Sequence, residues 1–326
     1  MIVLGVLVTI LLVISFAVWY STAMPSSSFR GALPPLSDSE REIRDRLAMH
    51  VEVLAGQVGE RNVWKMQALD AAARYVRQTL EQFGYEVGSQ AYESHGIIVR
   101  NLDAERLGRG MPDEIVLVGA HYDSVLGCPG ANDNGTGVAA MLELARLFAD
   151  RLPERTVRFA AFVNEEPPFC FGPNMGSRVY ARRCRKLREK ITAMLSLETI
   201  GCYLDNHNSQ RYPFPFGLLY PRTGDFIGFV GNLSSRQLVR RCVGAFRRHA
   251  EFPSEGTAAP AYLPGIFWSD HWSFWRERYK AVMVTDTAPF RYPQYHTPDD
   301  TPDRVDYERT AKVVLGLRGV IQELAR

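Results

Sequence analysis

The sequence predicts an α/β fold, a mixed and mainly parallel central sheet with helices on both faces. Three observations carry it. Short apolar and β-branched runs bounded by turn residues recur at 85–91, 96–101, 114–119, 156–163, 193–197 and 281–284, as strands do. Apolar residues at helical spacing fill 135–150 and the stretch from about 306 onward. The chain of 326 residues, 46% hydrophobic and 23% charged, can build one sizeable core. Strands alternating with helices are what cover both faces of such a sheet.

Two helices precede the strands. "SDSEREIRDRLAMHVEVLAG" offers Ser37 as a cap with acidic residues in the first turn, and "MQALDAAARYVRQTLEQFG" stops on Gly84. Ahead of them, residues 2–20 form an unbroken apolar and small-residue run, about the length that spans a bilayer core. Ser21, Thr22 and Ala23 resemble a cleavage site, but the positive segment that opens a signal peptide is absent. The expectation is therefore an N-terminal transmembrane helix at 1–23, a linker at 24–36 and a catalytic domain at 37–326. That domain is expected on the extracytoplasmic side, with the membrane as a partner.

A net charge of +2 calls for no nucleic acid. The basic cluster Arg182, Arg183, Arg185, Lys186 and Arg188 reads as the solvated face of a helix. Five cysteines, an odd number without C-x-x-C spacing, form neither a metal knuckle nor a disulfide framework.

In open α/β sheets, sites gather beyond the carboxyl ends of strands. Polar residues cluster there in this chain: "HYDS" and the glycine-punctuated "GANDNGTG" after 114–119, "VNEEPP" after 156–163, "LETIG" after 193–197, and "YHTPDDTPD" beyond 281–284. They yield His121, Asp123, Asp133, Glu165, Glu166, Glu198 and His296, a nitrogen and oxygen donor set suited to zinc. A carboxylate can bridge two ions about 3.5–4 Å apart. With Asp133 bridging, one zinc takes His121 and Glu198 and the other Glu166 and His296. Three ligand carboxylates against two dications leave about one charge for a bridging hydroxide. Glu165 then stands beside a ligand without a metal, as a general base must, and Asp123 suits the second nitrogen of His121.

The motif series "GAHYDS", "GANDNGTGVAAMLELAR", "VNEEPP", "SLETIG", "SDHWSF" and "YHTPDDTPDRVDY" resembles that of the zinc-dependent aminopeptidase family that also includes glutamate carboxypeptidase II and glutaminyl cyclase. The resemblance runs from about Ser37 to the end. It implies the zinc-exopeptidase fold, phosphorylase/hydrolase-like, and two zinc ions held by His121, bridging Asp133, Glu166, Glu198 and His296. Glu165 is implied as base and Tyr295, before the last His, as oxyanion donor. The chain departs from the pattern at Glu198, where the best-known members have Asp, and in "NEEPPFCFGPNMGS", a longer connection expected to reshape the pocket wall.

The substrate implied is a peptide with a free N-terminus. The same fold also serves glutaminyl cyclases, which use one zinc, and carboxypeptidases, for which Arg222 or Arg291 is the candidate clamp on a terminal carboxylate. A binding ectodomain that has lost catalysis is the remaining alternative. Asp270 and His271 read equally as substrate contacts or a helix-start cap, and Phe267, Trp268, Trp272 and Trp275 as core or pocket lining.

Overall fold

The structure, a computed structural model, describes residues 2–214 and 216–326. Helix α1 spans Ile2–Thr22, and α2, Asp38–Val51, begins with the expected capping box. The Ser37 hydroxyl accepts the Glu40 N–H at 3.3 Å, and the Glu40 carboxylate accepts the Ser37 N–H at 2.7 Å. Two otherwise unpaired groups are satisfied, and two acids sit at the positive end of the helix dipole. Helix α3, Met66–Gln82, stops because Gly84 takes φ 83°, which side chains other than glycine's resist.

Eight strands form one sheet: β1 Val87–Ser94, β2 Ile97–Arg106, β3 Met111–His121, β4 Arg155–Phe162, β5 Lys190–Glu198, β6 Ile227–Asn232, β7 Ser254–Ala259 and β8 Ala281–Thr285. Their spatial order is β1-β2-β4-β3-β5-β8-β6-β7. The central run β4-β3-β5-β8 is parallel, as is β6 with β7. The pairs β1-β2, β2-β4 and β6-β8 are antiparallel, so the sheet is mixed, as expected.

The remaining helices are α4 Gly137–Phe148, α5 Gly176–Lys186, α6 Arg236–His249, α7 His271–Arg276 and α8 Tyr307–Leu324. The pleat of β3 shows the layering. Val116, Val118 and Ala120 join a core with α4, α6 and α8 side chains, whereas Ile115 and Leu117 join a second with Tyr180 and Cys184 of α5 and Phe274 of α7. Both faces of β3 are covered there, so Val116, Leu117 and Val118 each bury an apolar side chain, worth roughly 1.5–3 kcal/mol for a Val, Leu or Phe. The basic cluster lies on and just after α5. All five cysteines are free thiols.

The N-terminal segment departs from expectation. It is helical, but among the described residues no helix is long and apolar enough to cross a membrane. The expected transmembrane helix is therefore not borne out among these residues. Its last turn lies against the domain. Arg236 donates to the Tyr20 carbonyl at 2.6 Å with its guanidinium 4.0 Å from the Tyr20 ring centroid, and Arg240 donates to the Ala23 carbonyl. The linker is not free chain either. Arg247 donates to the Pro25 and Ser26 carbonyls at 3.0 and 2.6 Å, Ser28 accepts the Ser254 N–H at 2.8 Å, and Met24 and Leu33 pack on the main core.

Candidate metal centre

The parallel run β4-β3-β5-β8 brings four strand ends to one edge of the sheet. His121 is the last residue of β3 and Glu198 the last of β5. Glu165 and Glu166 follow β4, Asp133 lies in the turn Ala131–Thr136 that leads into α4, and His296 follows β8. Six residues separated by up to 175 positions meet because strand ends do, which is why they fall in five separate polar clusters.

Asp133 is the centre of the arrangement. One of its oxygens is 3.3 Å from His121 Nε2, which is 3.4 Å from Glu198 Oε2. Its other oxygen is 3.0 Å from His296 Nε2, which is 3.3 Å from Glu166 Oε2. The chain thus holds two three-residue groups, His121 with Asp133 and Glu198, and Asp133 with Glu166 and His296. Ligands about 2.0–2.2 Å from a tetrahedral zinc stand roughly 3.4 Å apart, close to these separations.

The donor atoms themselves fit the ion. His121 Nε2, His296 Nε2, one Asp133 oxygen and one Glu166 oxygen are buried without any hydrogen-bond partner, a costly state for polar atoms unless a cation completes them. Electrostatics agrees. Burial, with the Asp133 charge, pushes the Glu166 carboxyl up to about 7 against the pull of His296. Burial likewise raises Glu198 and lifts Glu165 well above the carboxylate range. Crowded carboxylates in a dry cleft need positive charge, and dications supply it.

Other side chains hold this geometry. His121 Nδ1 lies 3.2 Å from the Asp123 carbonyl oxygen and 3.6 Å from its carboxylate. The Asp123 carboxylate instead accepts the Glu165 and Glu166 N–H groups, each at 3.2 Å. It therefore orients the paired glutamates more directly than the imidazole. Asn134 donates to the Leu197 carbonyl at 2.8 Å and accepts the Gly137 and Thr199 N–H groups at 3.1 Å, tying the Asp133 turn to β5. Gly130 opens that turn at φ 65°, where an added Cβ would stand 2.4 Å from the Asp133 carbonyl. Ser269 donates to Glu198 at 2.7 Å.

Two supporting residues went unread in the sequence. Asp300 is fully buried and accepts the Asn132 and Asp133 N–H groups at 2.8 and 3.0 Å and the Tyr292 hydroxyl at 2.8 Å. Arg61, also fully buried, donates to the carbonyls of Tyr122, Gly130 and Pro129, bracing the loop after β3. The second Asp of "PDDTP" was the available signal for the first. "GERN" between two helices gives none for the second.

Tyr295 stacks on His296, ring centroids 3.9 Å apart. Burial holds its phenol protonated, as a donor must be. Asp270 makes no cap hydrogen bond to α7, and both its oxygens are buried without partners. His271 serves the core, with Nε2 2.8 Å from the Ile266 carbonyl and its ring edge-on to Trp275. Of the aromatics, Trp275 is packed in the core, Phe267 and Trp272 pack on Phe171, and Trp268 lines a cavity with Glu198 and Tyr295.

Comparison with known proteins shows what the chain resembles. A family model described as peptidase family M28 matches residues 101–320. The protein YfbL of Escherichia coli K12 is 36% identical over 282 residues, 84% of this chain and 86% of that protein. An aminopeptidase of Pseudomonas aeruginosa is 37% identical over 150 residues, 46% of this chain but only 25% of its own length. Among solved structures, an aminopeptidase from Aneurinibacillus sp. strain AM-1 superposes with a TM-score of 0.66 at 16% identity, covering 88% of this chain and 95% of that one. Glutaminyl cyclase of Fimbriiglobus ruber superposes at 0.64 with 20% identity, covering 92% and 99%. At such identities the two structures share the fold and do not choose between reactions.

Proposed function

Because the chain belongs to peptidase family M28 and is a zinc-dependent hydrolase, we propose that it is a di-zinc aminopeptidase, removing N-terminal residues from peptides. The observation that carries the reading is Asp133, whose two oxygens each face a different pair of ligands. One ion would fall to His121, Asp133 and Glu198, the other to Asp133, Glu166 and His296. Bound there, the ions would polarise the scissile carbonyl and make water nucleophilic near neutral pH.

The residues around them divide the remaining work. Glu165 lies outside both ligand groups, with Oε2 3.9 Å from His121 Nε2. It takes the proton of the attacking water and delivers it to the leaving amine. Burial raises its proton affinity, which suits a base that must hold a proton until the amine collects it. The Tyr295 hydroxyl donates to the developing oxyanion.

A cyclase using one zinc has no need of the second complete ligand group. A carboxypeptidase needs a cation open to its cleft, and Arg291 is buried, its Nη1 donating to the Cys202, Gly224 and Phe226 carbonyls at 3.2, 2.8 and 2.9 Å. A binding module has no chemical use for a complete ligand set with a base beside it. The test is mass spectrometry of peptides with free and with blocked N-termini after incubation with the zinc-loaded protein. Stepwise N-terminal loss from the free peptides alone is expected. Trimming from the C-terminus, or cyclisation of N-terminal Gln, would overturn the reading.

A further inference from the structure

Beside the metal centre lies a small chamber of about 50 Å³, walled by Glu198, Trp268, Met283, Tyr295 and Phe290. At about 10–15 Å³ per water-sized atom, it takes about four heavy atoms, a leucine side chain. Behind it lies a second chamber of about 80 Å³, lined by Tyr212, Phe216, Tyr220, Phe226 and Phe290. Val230, Gly265, Thr287 and Phe290 belong to both walls. The Phe290 ring, stacked on Trp268 at 5.9 Å and 14°, stands where the two walls meet.

One residue of the second chamber does not suit an apolar cavity. Strand β7 turns Gly256 toward Met24 and Val243, so the pleat sends Glu255 and Thr257 to the opposite face, where both line the chamber. Among the described residues Glu255 makes no hydrogen bond or ion pair. Its nearest attractions are Arg247 and Arg30, and Arg247 spends its guanidinium on the Pro25, Ser26 and Ser254 carbonyls. Thr257 Oγ1 is buried there too, with the Tyr220 hydroxyl beside it. A carboxylate among rings is costly to desolvate without a cation, and aromatic faces attract ammonium and guanidinium groups. A purely apolar occupant would need neither.

We propose that the two chambers form one specificity channel, in which the stem of an N-terminal Lys or Arg side chain fills the first and its cationic end meets Glu255 in the aromatic second. The proposal rests on the aminopeptidase reading. Its test compares Lys and norleucine, equal in chain length but for the ammonium, as aminoacyl anilides and as amides. Turnover of the anilides by the zinc-loaded full-length protein gives kcat/KM, and calorimetry of L-lysinamide and L-norleucinamide on its Glu165→Gln variant gives affinity without turnover.

The expected result is a preference for Lys of tenfold or more in both readouts, collapsing by at least that factor in Glu255→Gln. Equal or better use of norleucine by the native protein, or a Lys preference that survives Glu255→Gln, overturns the channel and leaves the aminopeptidase standing. No cleavage of any anilide, with lysinamide still bound tenfold better through Glu255, leaves the channel standing and removes the aminopeptidase.

Discussion

Glu165 and Glu166 are chemically identical neighbours, and a single step along the chain gives them different work. Glu166 reaches His296 at 3.3 Å and completes a candidate ligand group with Asp133, while Glu165 points to the other side of the cluster and belongs to neither group. Glu165→Gln keeps the shape and removes the proton acceptor, so kcat should fall by about 10²- to 10⁴-fold. Zinc content, measured by elemental mass spectrometry on the same sample, should stay at the native value. A variant retaining kcat within a few-fold would end the assignment of Glu165 as base. At this scale the sequence reveals residues that carry chemistry by type and place: every candidate ligand stands in a polar cluster at or beyond a strand end. It conceals residues whose partners are backbone groups brought together only by folding. Arg61 binds carbonyls of the loop after β3, and Asp300 binds amides of the Asp133 turn. Asp123 falls between, placed near His121 as its spacing implies but with its carboxylate spent on the glutamate amides.

The elements were legible where pattern and packing agree. The capped α2, α3 with its glycine stop and the strands β1 to β5 and β8 all lie within a few residues of the runs that announce them. Strand β7 is not, since "SEGTAA" is poor in β-branched and aromatic residues and pairs only through its neighbour β6. Helix α6 was available to sequence reasoning: Leu238, Val239, Cys242, Val243 and Phe246 recur at helical spacing and are all buried. Between elements, one buried acid couples α2 to α4. Burial alone would raise the Glu143 carboxyl, but hydrogen bonds from His50 and Arg46 and the charges of Arg146 and Arg46 outweigh it, leaving the group below its usual value. Arg46 and Arg146 donate to it at 2.7 and 2.9 Å. A depressed carboxyl stabilises the fold above its unfolded-state pKa, and that stability is lost as pH falls through the folded value. Metal-free protein should therefore exceed Glu143→Gln in denaturant stability by about 1–3 kcal/mol near pH 7. The gap should narrow once pH drops below about 4.5, the ordinary glutamate value. A gap that stayed constant from pH 7 to 3 would show that Glu143 is not charged in the folded protein.

At the scale of the whole molecule, composition and strand alternation were enough to find the sheet and its site, because both follow from patterns repeated along the chain. The N-terminal segment was harder. A run of apolar residues states its hydrophobicity but not what holds its end, and "MPSSSFRGALPPL" has the composition of free linker. In the folded protein three arginines of α6, Arg236, Arg240 and Arg247, take carbonyls at Tyr20, Ala23, Pro25 and Ser26. Ser28 also accepts the N–H of Ser254, at the start of β7, which pairs in the sheet with β6 alone. Removing residues 1–36 would strip these partners from guanidinium groups and uncover the apolar surface under Met24 and Leu33. A domain beginning at Ser37 should thus be less stable than one beginning at Met24. If the loss is about 2 kcal/mol, a thermal midpoint lower by roughly 3–4 °C follows for a domain somewhat larger than 250 residues. Differential scanning calorimetry of the two proteins, both metal-free, decides it. Equal midpoints would mean that the segment merely lies on the surface, whereas the expected loss would make residues 24–36 part of the folding unit.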